Sequence, residues 1–217
     1  MEGSIRARRL IVYVLALVTN NQSKLIRTQL IKILFLIDYK AKNKLLHTLT
    51  GYTYTKNNNG PYTQVFMDDI ERLKSKYVSE KTRHTANGMR LYYLYDLLEE
   101  IEPEEIINSA EENNWFSEEE KGIIVDVVGK YADKELHVIL NEVYDLTGAG
   151  EKQHGEEFEL NEKHKKIKNN CPQFPSPFTK KFVEDYKKRY AYTKEEKEIL
   201  DKEREELLQI SGLVNIG

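Results

Sequence analysis

Between residues 51 and 73 the sequence "GYTYTKNNNGPYTQVFMDDIERL" changes its hydrophobic period within one short span. The run "LTGYTYT" alternates as a short strand does, with Tyr52 and Tyr54 on one face. From Phe66 the apolar residues recur at Ile70 and Leu73, which is helical spacing. Asn57, Asn58, Asn59 and Gly60 tolerate positive φ, so a reversal is expected between the two segments. Pro61 suits a first helical turn, where its missing N–H has no partner to lose. A phosphate-binding loop is excluded: the stretch has one glycine beyond its first residue and no Gly-Lys-Ser/Thr. The reading is a strand, a turn and the start of a third helix.

Two helices precede it. Residues 5–19 place Ile11, Val14, Leu15 and Val18 on one face, and residues about 26–42 do the same with Ile26, Leu30, Ile33, Leu34, Ile37 and Ala41. After helix three, Tyr77 and Val78 begin one strand and residues 89–95 form another, with the Asn-Gly of "ANG" reversing the chain between them. Three helices and then a β-hairpin is the order of a winged helix-turn-helix. Farther on, Ser117 and Glu120 form a capping box before Ile123, Ile124, Val127 and Val128. A further helix carries Leu136, Ile139, Leu140, Val143 and Tyr144, and "TGAG" at 147–150 stops it. The expected class is mainly α (α+β): a helical domain with a winged-helix-like hairpin, plus C-terminal helices. Its parts are 1–98, an acidic helical stretch 99–150 of the same domain, a linker-like crossing 151–177, and helices in 178–217.

Charge is segregated along the chain. Residues 1–98 carry 16 Lys/Arg against 7 Asp/Glu, whereas residues 99–160 carry 4 against 19. A basic head beside an acidic middle implies either internal docking or two different partner surfaces. The single cysteine, Cys171, excludes an internal disulfide and fits a reducing cytoplasm. The opening "MEGSIRARRLIVYVLALV" imitates a signal peptide, but no small-x-small cleavage site follows and the apolar run is too short to span a bilayer. A buried first helix in a cytoplasmic protein, with no membrane partner, is the expectation.

No catalytic constellation stands out. The histidines (His47, His84, His137, His154, His164) form no zinc-binding pair, and Cys171 has no implied base. Neither a cofactor nor a metal is expected, and no enzymatic activity. Binding has a better case. Lys81, Arg83, His84 and Arg90 make a basic hairpin tip that suits phosphates, with helix three as the recognition helix. Helix three, however, carries Asp68, Asp69 and Glu71, which repel phosphate. Tyrosines concentrate around the strand, turn and hairpin, and surplus tyrosines on one surface are the usual composition of a protein-binding patch. The candidate partner-binding residues are therefore Tyr52, Tyr54, Gly60, Pro61, Tyr62, Arg83, His84 and Arg90. A partner protein is the first expectation and nucleic acid the second; a homodimer through the last helix is a further one.

The ordered segments "QLIKILFLIDYKAK", "GYTYTKNNNGPYTQVFMDDIERLKSKYV" and "SEEEKGIIVDVVGKYADKELHVIL" resemble the Panacea, or SocA-like antitoxin, domain family over roughly residues 20–146. Lys32, Leu34, Gly60, Pro61, Tyr131, Glu135 and Leu136 occupy the corresponding positions. The resemblance implies a helical, non-enzymatic domain that binds and neutralises a toxin, or hands one to a protease. It also implies a gene of the kind frequent in phages and mobile elements.

Overall fold

Helix α1 (Ile5–Asn20) is buried almost all round, with Ala7 and every residue from Leu10 to Ala16 shielded from solvent. That is the environment a helix apolar on every face requires. The structure is a computed structural model that describes residues 5–84, 91–149 and 151–160. After α1 come β1 (Leu25–Ile26), α2 (Arg27–Leu45), β2 (Thr55–Asn57), β3 (Gly60–Tyr62), α3 (Val65–Lys74), β4 (Val78–His84) and β5 (Leu91–Leu97). Three helices follow: α4 (Pro103–Glu112), α5 (Glu118–Tyr131) and α6 (Leu136–Thr147). All described residues except His84 belong to one compact unit.

The two central helices organise that unit. Helix α1 packs against α4 and α5, and α2 against α5 and α6. Three polar ties show that α2 and α5 run antiparallel. Gln29 Nε2 donates to the Lys134 carbonyl at 3.0 Å, Lys40 Nζ to Asp126 Oδ2 at 2.6 Å, and His47 Nε2 lies 2.7 Å from Glu120 Oε1. The expected capping box at Ser117 is present: Ser117 Oγ accepts from the Glu120 amide, and Glu120 Oε2 from the Ser117 amide at 2.9 Å. Helix α6 stops at Gly148, which takes the left-handed conformation. No described helix is long and apolar enough to cross a membrane.

The fold is mainly helical with a small β component, in which β4 and β5 are hydrogen-bonded neighbours. These strands join β1 in a sheet of order β1-β5-β4, with Leu25 opposite Tyr95 and Ile26 opposite Leu94. Strand β1 and helix α4 are additions to the sequence reading. The Asn-Gly reversal, Cys171 and the helices of 178–217 lie outside the described residues.

Two local expectations are corrected. Pro61 does not open helix three. It sits in β3, which pairs with β2 in a separate ribbon, and α3 begins only at Val65. Asn58 and Asn59 keep negative φ while Gly60 takes +80°, the arrangement of a type I turn closed by a glycine bulge. Proline is tolerated there because β3 is an edge of the ribbon, where no ladder N–H is demanded. Tyr52 and Tyr54 do share an inward face, but strand pairing starts later, at Thr55.

Residues 151–160, expected as the start of a linker-like crossing, are instead pinned along β2. The Lys56 amide donates to the Glu156 carbonyl at 2.7 Å, the Gly155 amide to the Lys56 carbonyl at 2.8 Å, and the Phe158 amide to the Tyr54 carbonyl at 2.9 Å. Phe158 is buried against Phe35, their ring centroids 5.8 Å apart. One aromatic side chain anchors the segment.

Candidate functional site

Lys32 lies in the middle of the apolar stretch of α2 and is 2% exposed. Its Nζ donates to the carbonyl of Pro61, so a buried amine ties α2 to the Gly-Pro hairpin. Burial, with the nearby Lys56 ammonium adding to it, brings the Lys32 amine down to about 7. Gly60 allows the approach. A Cβ there would meet Tyr144 Cε2 at 3.2 Å and Val143 Cγ1 at 3.8 Å, and φ of +80° already disfavours a side chain. Tyr144 closes the arrangement from α6. Its hydroxyl accepts from Lys56 Nζ at 3.0 Å and donates to the Asn58 carbonyl at 3.4 Å, and Lys56 Nζ sits 4.4 Å from its ring centroid.

Two buried carboxylates hold the approach to the hairpin. Asp38 Oδ1 accepts from the amides of Leu49 at 2.7 Å and Thr50 at 3.0 Å, while Oδ2 accepts from Tyr54 Oη at 2.9 Å and from the Thr50 hydroxyl. Burial pushes the Asp38 carboxyl upward, against the pull of these donors. Asp69 of α3 accepts from Arg8 Nη1 at 3.0 Å and from Tyr52 Oη at 2.6 Å. Burial and Asp69 together raise the Tyr52 hydroxyl well above its ordinary range.

Tyr52 and Tyr54 are therefore core residues rather than contact residues, correcting the expected surface patch. Their rings pack edge to face at 6.1 Å and their hydroxyls face inward, because each has a buried carboxylate to satisfy. Gly60 and Pro61 are likewise buried. Tyr62 is half-buried, its hydroxyl donating to Gln64 Oε1 at 3.0 Å. Arg83 and His84 are exposed at the end of β4, and Arg90 lies outside the described residues. The hairpin residues and the basic pair thus belong to two different sheets. Asp69 is also removed from the outward face of α3, leaving Asp68 and Glu71 exposed there.

Sequence reasoning carried Lys32 only through the family pattern and missed Asp38, Lys56 and Tyr144. A signal existed for the first two: "LIKILFLIDY" interrupts a buried stripe with one cation and one anion, and such charges need buried partners. The described surface includes two open depressions, one between α2 and α5 near Tyr39, Lys40 and Gly122, another lined by Ser23, Gln29 and Asp133. Among the described residues no three of His, Cys, Asp and Glu gather as metal ligands would. The arrangement is a rigid polar scaffold beneath a β-hairpin, with a separate basic strand end.

No curated protein and no solved structure matches the chain. The segment that contains Lys32, Asp38, the Gly-Pro hairpin, α5 and Tyr144 does match a family model, that of the antitoxin SocA-like Panacea domain, over residues 30–147. That span is more than half of the 217 residues, and the chain belongs to this family.

Proposed function

We propose that this protein is a non-enzymatic, cytoplasmic binding module of antitoxin type, whose partner is a toxin protein that it neutralises or delivers to a protease. The observation that carries the reading is the family match across the whole scaffold that holds the Gly-Pro hairpin. The contact surface is the basic strand end of β4, with Arg83 and His84 exposed, together with Leu91, 53% exposed at the start of β5. An exposed aliphatic side chain beside cations suits a partner with an acidic rim around an apolar centre. Tyr62, at the solvent side of β3, is a second contact on the hairpin ribbon.

A second reading, a winged-helix DNA-binding regulator, is favoured by one observation. Asp69 is buried against Arg8 and Tyr52, so α3 presents one carboxylate fewer to phosphate than its sequence suggests. Changing Arg83 and Arg90 together to Glu separates the two readings. For a toxin-binding module, capture of a toxin encoded beside the gene weakens while far-UV circular dichroism stays native. For a DNA regulator, duplex binding is abolished, and wild-type affinity falls steeply with salt. Tight, sequence-selective duplex binding by the wild type, with no toxin captured, overturns the first reading.

A further inference from the structure

Helix α5 turns an unpartnered face to solvent. Val125 stands in its centre, 50% exposed. Gly122 and Gly129 flank it on the same face, and a Cβ at either would meet nothing within 4 Å among the described residues. Neither glycine is thus required by packing against the described residues, although each costs helix stability relative to alanine. Charge is ordered along one flank of the face. Glu119 lies at the N-terminal end, exposed and without an ion pair among the described residues. Lys130 lies at the C-terminal end, exposed, with its Nζ 3.3 Å from the half-buried Glu142 and 4.8 Å from the Tyr131 ring centroid.

We propose that this face is an isologous interface, through which two copies of the chain pair with their α5 helices antiparallel. The charge order selects both the occupant and its direction. A dyad perpendicular to the helix axis brings Glu119 of each copy to Lys130 of the other on the same flank, twice over. A parallel pairing would carry that flank to opposite sides of the interface with both Glu119 at one end and both Lys130 at the other, so no complementary pair would form. In the antiparallel arrangement Gly122 of one copy lies opposite Gly129 of the other, so the backbones approach closely and the two Val125 side chains cover each other. Asp126 faces its own copy near the dyad and is neutralised there by Lys40, at 2.6 Å within the same chain. One helix pair is small beside the ~800 Å² per partner of a stable interface. The dimer is accordingly weak and concentration-dependent.

Sedimentation velocity of the full chain over a wide concentration range tests this. The wild type should show a monomer–dimer equilibrium, and Val125→Asp should hold the chain monomeric with native circular dichroism. Glu119→Lys alone and Lys130→Glu alone should each lose self-association, since each places like charges across the dyad. An equimolar mixture of those two variants should recover dimer, because every cross-pair is then complementary; misfolding cannot produce that recovery. A wild type that stays monomeric throughout overturns the proposal. So does a dimer that Val125→Asp leaves intact, which places self-association elsewhere, or single variants whose mixture stays monomeric.

Discussion

Lys32 illustrates how one side chain can serve a fold at a charge cost. Its amine is drawn from 10.5 in the open chain to about 7 in the folded one, by burial and by Lys56. Between these values the unfolded chain binds more protons, so stability rises with pH from about 7 toward 10.5 and is flat below that window. Lys32→Met should remove this slope, as read from urea midpoints across the pH range. Above the window the variant should also be the less stable of the two by about 1–3 kcal/mol, since the Pro61 carbonyl loses its buried donor. Gly60→Ala tests the same junction from the other side. A positive φ and Tyr144 at 3.2 Å from the new methyl group predict a loss of about 1–2 kcal/mol in denaturant unfolding.

At the level of single elements, α5 combines a strong start with a weak middle. Its capping box satisfies two amides that a free helix end would leave open, and Ser117→Ala should cost about 1 kcal/mol in thermal or urea unfolding. Gly129→Ala should do the reverse. The added methyl group enters open space, and the gain in helix propensity is ~0.5–1 kcal/mol. That gain is best measured in the Val125→Asp background, where pairing of α5 between copies would not enter the result. A loss there would mean that an unseen neighbour fills the space over Gly129.

Across the whole molecule, the last described segment works as a clasp. Residues 151–160 add backbone hydrogen bonds to the outer side of β2 and bury Phe158 against Phe35. Phe158→Ala should cost about 3 kcal/mol and speed hydrogen exchange at the Lys56 and Phe158 amides more than at α1, because it releases the clasp before the core.

Most of the helical plan was legible in the sequence, and for a local reason. Apolar period, the Ser117–Glu120 box and Gly148 are written in residues a few positions apart, so α1, α2, α5 and α6 could be read directly. The β4–β5 hairpin was legible for the same reason. What only tertiary structure decided were the matters that depend on distant partners. Pro61 fits a helix start and an edge strand equally well. The choice fell to Lys32, 29 positions away, and to the ribbon it shares with Thr55–Asn57. Tyr52 and Tyr54 have the composition of a contact patch, but Asp69 and Asp38 draw their hydroxyls inward, since a buried carboxylate without donors would cost more than the lost surface. Pairing of residues 155–158 with β2 likewise joins segments about a hundred positions apart, where no local pattern in either can announce the other.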